Sequence, residues 1–237
     1  MQAKKFSVFE AIVYGLKTTL DHFRLFFLTT VTFGATVFGA FAIIALSLGI
    51  IGFGKLIEIS KTLTICDGSS CTIRTIVEAI NGAPLGIAIV STLVLWIFII
   101  GLSIGYIRIM LDQYDTGTSQ VKRLFSCFGL VPKFTITTIL FGLIVFLGTL
   151  VLIIPGIILA ARLGLFAYFI VDKNTSIIGS VKKSYAATKG ATWPIVCLMA
   201  VMMSLQTIGG LNPLLIFVIL APANSLSYAY VYRKLTS

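Results

Sequence analysis

Residues 134–171 read FTITTILFGLIVFLGTLVLIIPGIILAARLGLFAYFIV, 38 positions in which, tyrosine aside, the only ionisable side chain is Arg162. A helix crosses the hydrocarbon core of a bilayer in about 20 apolar residues. The stretch is too long for one span and suits two, each of about 18–20 residues. Ile154-Pro155-Gly156 stands near its middle, and proline and glycine end helices and make turns. The stretch therefore reads as a tight helical hairpin.

Three other stretches repeat the pattern. Leu25–Gly54 and Ala79–Ile107, 30 and 29 residues long, carry no ionisable group apart from tyrosine and hold one span each. Gly190–Tyr232, 43 residues long, is equally bare apart from tyrosine and cysteine. Gly209-Gly210-Leu211-Asn212-Pro213 interrupts it, so it too reads as two spans. The expected fold is an all-α integral membrane protein with six transmembrane helices. It forms a single polytopic domain in three units, 1–115, 116–173 and 174–237, with one sizeable loop at 55–78.

Composition agrees. A soluble domain carries roughly a quarter charged residues; this chain carries 11%, with 58% hydrophobic residues and a mean hydropathy of +1.06. The net charge of +10 does not indicate nucleic acid, because the basic residues lie in short segments between apolar spans. There they set topology and meet anionic headgroups. Met1–Phe23 does not read as a cleavable signal, since Glu10, Lys17 and Asp21 interrupt its apolar region.

Fifteen Lys and Arg fall on the side of the N-terminus and three (Lys55, Lys61, Arg74) on the other. Basic residues accumulate on the cytoplasmic side, so both termini are expected there, in a bacterial inner membrane. Cys66 and Cys71 bracket a turn-forming Asp-Gly-Ser-Ser on the opposite, oxidising side. A disulfide is the expected state and free thiols the alternative. A metal site is disfavoured, with no histidine nearby and no four-ligand set.

Three connecting segments have apolar residues at helical spacing beside basic ones: Phe6, Phe9, Val13, Leu16 and Leu20; Val121, Leu124, Phe125 and Phe128; and Ile177, Ile178, Val181 and Tyr185. Each reads as an amphipathic helix lying among headgroups and leading into a span. The first and third align at a constant offset of 169 residues, Ser7-Val8-Phe9 on Ser176-Ile177-Ile178 and Thr19 on Thr188. Lys122, Arg123, Lys182, Lys183 and Lys189 are the expected lipid or anion contacts on these segments.

Arg162 is the anomalous residue. A cation in mid-span costs about 2.5–3.5 kcal/mol on insertion scales, so it is expected to face the protein interior, a water-filled cavity or a lipid phosphate. Arg108 and Asp112, four apart, read as a local ion pair. Gly101 with Gly105, and Gly156, Ala160 and Gly164, are small-residue steps that let helices approach closely. No embedded carboxylate offers a proton relay, and there is no P-loop, no HExxH and no GxSxG with partners. No cofactor, metal or enzymatic activity is expected.

Leu152-Ile153-Ile154-Pro155-Gly156-Ile157 through Arg162, then Val171-Asp172, then Ser184 to Lys189-Gly190, form a bacterial pattern closed by Tyr230-Val231-Tyr232-Arg233-Lys234-Leu235. Over about residues 116–237 the chain resembles the YciC-like uncharacterised inner-membrane proteins and the membrane domain attached to some glycerophosphodiester phosphodiesterases. The resemblance implies a membrane domain with no defined activity; the phosphodiesterase domain itself is not part of it. The expected function is non-enzymatic: support of envelope or lipid organisation, or the membrane part of an assembly, with anionic lipids and a protein partner or second copy as partners. The alternative expectation is a transporter or channel for an anionic or amphiphilic solute using Arg162.

Overall fold

The computed structural model describes residues 6–65, 83–209, 212 and 215–236, and the side chains of all these except 47–65 and 83–88. Cys66 and Cys71 lie outside the described residues. Among those described the chain is all helical, with five helices long and apolar enough to cross a membrane. The helices are α1 (Val8–Asp21), α2 (Phe23–Ile65), α3 (Ala83–Thr116), α4 (Val131–Val151), α5 (Ile153–Leu163), α6 (Phe166–Lys173), α7 (Ile177–Ala187), α8 (Thr192–Gly209) and α9 (Ala221–Thr236). They fall into two compact units. One comprises residues up to Thr32 and from Ile100 onward; the other is Phe33–Ile99.

Most of α2 belongs to the smaller unit, and it runs past the expected span. Its 43 residues, at ~1.5 Å each, reach roughly 65 Å, about twice a ~30 Å hydrocarbon core. The segment expected as a loop from 55 is helix through Ile65.

The larger unit corrects three local expectations. The α4–α5 turn is not at Pro155-Gly156 but at Leu152, the one extended residue between the helices (φ −160°, ψ 143°). Pro155 lies in the first turn of α5, where backbone N–H groups have no intrahelical acceptor and a missing one costs nothing. Gly156 instead permits close approach: a Cβ there would meet the Thr149 side chain and backbone of α4. The span expected from Pro155 to Asp172 falls within one candidate span, Ile153–Lys173, made of α5 and α6 with a turn at Gly164–Leu165 rather than a single unbroken helix. The second connector is not an amphipathic helix but two 3₁₀ turns, Val121–Phe125 and Phe128–Leu130. Leu124 is buried, and its backbone fills the space left by Gly105, while the Phe128 ring lies against Gly101.

The sixth expected span carries a π-type turn, Ile216–Leu220, followed by α9. α9 is the least apolar of the last helices and the most enclosed: Ala223, Leu226, Ser227, Ala229, Val231 and Tyr232 are all buried. Helices recognised by apolarity are those that face lipid; one wrapped by protein can carry serine and tyrosine.

α1 and α7 share a register. Ser7 and Ser176 cap them, each hydroxyl accepting a backbone N–H three residues on, which satisfies a donor the helix cannot. Ala11, Gly15 and Thr19 are the buried positions of α1; Ser180 and Ser184 of α7, with Thr188 at its cap, lie at the same offset of 169. α1 is docked antiparallel along α9, where Ser227 donates to the Ala11 carbonyl (2.9 Å) and a Cβ at Gly15 would strike the Ala223 backbone. Three of the five apolar residues that defined its stripe point outward, with Phe9 at 74%, Leu20 at 56% and Val13 at 41% exposure, whereas Phe6 is buried.

Candidate functional site

Two arginine-centred clusters organise the larger unit. The first is Arg162, in the last turn of α5. Its Nε donates to Thr192 Oγ1 (3.1 Å) and its Nη1 to the Tyr185 hydroxyl (2.7 Å), with the guanidinium 4.9 Å from the Tyr185 ring centre. The Arg162 carbonyl belongs to the last turn of α5, which lacks intrahelical donors. Ser184 Oγ (2.8 Å) and Thr188 Oγ1 (3.1 Å) of the adjoining connector supply them. Arg162 thus pins α7 and the start of α8 onto α5, through hydroxyls and an aromatic face rather than a carboxylate.

The second cluster lies where α3, α6 and α9 end. Asp172 accepts from Arg233 through both oxygens (3.0 and 2.9 Å) and from the Tyr232 hydroxyl (2.8 Å). Arg233 also bridges to Asp115 of α3. Asp112 pairs with Arg108 one turn away (3.3 Å) and with Arg123 of the second connector (3.2 Å); Arg108 also donates to the Val171 carbonyl (3.2 Å). Three helix C-termini carry partial negative charge and stand beside three carboxylates, so the site calls for cations. Arg108, Arg123, Arg233, Lys173 and Lys234 provide them. Desolvation alone would lower the Arg233 pKa; the bonds and charges of Asp172 and Asp115 more than offset it and hold that pKa above the usual value. An open cavity of about 360 Å³ between Tyr114, Lys173, Arg233, Lys234 and Thr236 borders the cluster.

Of the residues singled out in the sequence, Lys122, Lys182, Lys183 and Lys189 are exposed. Arg123 is half exposed, with its guanidinium against Asp112. The outward face of α7 reads Ile178, Lys182 and Tyr185, with Lys189 exposed in the turn that follows, opposite buried Ser180 and Ser184 and the capping Thr188. Gly101 and Gly105 pack on the second connector and Gly156 on α4, whereas a Cβ at Gly164 would meet only the Ala160 carbonyl of its own helix turn. Cys127 and Cys197 are free thiols. Among the described residues no cluster of His, Cys, Asp or Glu has a metal-holding arrangement.

Sequence reasoning missed the Arg233–Asp172–Asp115 clasp, although a signal was present. Arg108 and Arg233 each follow a long stretch without charge, and Asp172 closes the stretch whose one charge is Arg162, which puts all three at one end of the spans. No family model, curated protein or solved structure matches the chain.

Proposed function

We propose that the chain is a non-enzymatic, multi-pass protein of a bacterial inner membrane that binds anionic phospholipid along α7. In this reading it supports lipid or envelope organisation, or forms the membrane part of an assembly, with both termini cytoplasmic. The observation that carries it is the outward face of α7. Ile178 and Tyr185 suit the acyl boundary, and Lys182, Lys183 and Lys189 suit phosphate, as in helices that lie at a membrane interface. The inward face is committed to Arg162, so the helix is held with its lysines outward.

Lipid exchange in nanodiscs tests the reading. The wild-type protein is expected to retain phosphatidylglycerol over phosphatidylcholine, and the Lys182→Gln/Lys183→Gln variant to lose that preference; equal retention of both lipids by the wild type defeats it. Orientation is tested separately. After reduction, impermeant thiol reagents on intact cells are expected to label Cys66 and Cys71 and to spare Cys127, and the reverse pattern inverts the topology. Solute passage past Arg162 gains no support from the geometry. Its Nε and Nη1 are engaged, and it lines neither the cavity beside Arg233 nor the apolar crevice beside α5 and α8.

A further inference from the structure

Between α4, α5, α6, α8 and α9 lies a half-open crevice of about 220 Å³, lined by Phe141, Ala160, Tyr168, Ile195, Met199 and Tyr228. It exists because α5 presents alanine where a larger residue would fill it. Exposed Gly164 adds no side chain to its wall. Tyr168 closes one side by donating to the Ser225 carbonyl (2.9 Å). The volume falls below the roughly 300–1,000 Å³ typical of small-molecule pockets. It suits a run of methylenes.

Its polarity is graded along α8. Ile195 and Met199 line the apolar part, and Thr192, one turn before Ile195, holds Arg162 Nε. Arg162 follows directly on Ala161, another lining residue. The exposed Lys189 follows Thr188, whose hydroxyl reaches the Arg162 carbonyl. An apolar slot therefore ends, within about one helical turn, at an arginine and a basic helix.

We infer that this crevice holds one acyl chain of an anionic phospholipid, with the phosphate at the Arg162–Lys189 end. The inference rests on the lipid reading above and adds a defined site to it. Arg162 is held by hydroxyls through Nε and Nη1, and a phosphate at the crevice mouth complements its guanidinium without displacing Tyr185 or Thr192.

The test is photocrosslinking in vesicles with phosphatidylglycerol carrying a diazirine in one acyl chain, the labelled residues being mapped by mass spectrometry. Labelling is expected to concentrate on Ile195 and Met199. It is expected to fall about tenfold in Ala160→Phe, a loss equivalent to about 1.4 kcal/mol of binding. Labelling of Ile195 and Met199 no stronger than that of the lipid-exposed Leu147 and Leu150 of α4 overturns the site. That comparison uses the wild-type protein and needs no variant to fold. The outcomes also separate the two proposals. Even labelling with retained preference for phosphatidylglycerol removes the crevice and leaves α7, whereas equal labelling by diazirine-bearing phosphatidylcholine removes the anionic headgroup from the crevice and leaves α7 to be decided by the nanodisc exchange.

Discussion

Arg162 and Arg233 each tie three elements together, but with opposite chemistry. Arg162 reaches two hydroxyls and an aromatic ring, and among the described residues no carboxylate pairs with it. Arg233 grips Asp172 through both oxygens and reaches Asp115 as well. The first arrangement fixes a helix while leaving a positive charge to attract an anion; the second consumes charge to hold three helix ends together. The arginine conspicuous in the sequence is therefore the one suited to binding, and the inconspicuous one is the structural clasp.

The largest expected effect tests the clasp. Arg233→Ala leaves Asp172 and Asp115 without their main partner. The Arg233–Asp172 pair is partly buried, with side-chain exposures of 23% and 14%, so the cost falls below the ~3–5 kcal/mol of breaking a fully buried pair. Thermal unfolding in detergent should show a larger loss than any single change at Arg162, Ser184 or Tyr14 produces. Arg233→Lys should recover only part of it, because a lysine cannot make the two-oxygen contact.

Arg162→Met should cost less, about 1–2 kcal/mol for hydrogen bonds whose partners are partly exposed, while abolishing the preference for phosphatidylglycerol. A loss equal to that of Arg233→Ala, with lipid preference intact, would break the contrast between the two arginines. Ser184→Ala should be milder still, about 0.6 kcal/mol, as for interhelical hydrogen bonds in membranes, since Thr188 still serves the Arg162 carbonyl. The Ser184→Ala/Thr188→Val pair should then exceed the sum of the single effects, and simple additivity would show that the carbonyl needs neither.

The smallest effect concerns pH. Tyr14 packs on Tyr114 and Tyr230 (5.4 and 5.3 Å between ring centres) beside the Arg233 clasp. Burial, with Tyr114 and Asp115 adding to it, raises its phenol pKa above the ordinary 10.0. A raised folded-state value means stability that is present below pH 10 and lost as the pH climbs through the folded pKa. Tyr14→Phe should match the wild type within about 0.5 kcal/mol at neutral pH and lose less above pH 10. Unfolding curves at pH 8 and 11 check this.

Much of the design was legible. The apolar stretches marked most of the helices, although the α4–α5 turn falls at Leu152, three residues before the proline expected to make it, and Arg108 with Asp112 stood at ion-pair spacing. The offset between the first and third connectors was visible at Ser7/Ser176 and Thr19/Thr188, and burial extends it to Ala11/Ser180 and Gly15/Ser184. The second connector was misread because four apolar residues imitate a helical stripe, yet Leu124 is drawn into close contact at Gly105 and the segment tightens into 3₁₀ turns. α1 forms where its stripe predicted a helix. What the stripe did not announce is the inward face, made by small Ala11, Gly15 and Thr19, which hydropathy undervalues.

Sequence alone determined that the chain is built of apolar helices and where most of them lie, because transfer of apolar residues into a bilayer is a local property of composition and length. It also exposed Arg162, since one charge in a long apolar stretch is visible without neighbours. Tertiary structure decided what each charge does. Asp172 and Arg233 lie 61 residues apart in the chain, and only the convergence of three helix ends makes them partners. A hydrophobicity profile records the environment each residue needs; which group supplies that environment depends on packing between segments distant in sequence.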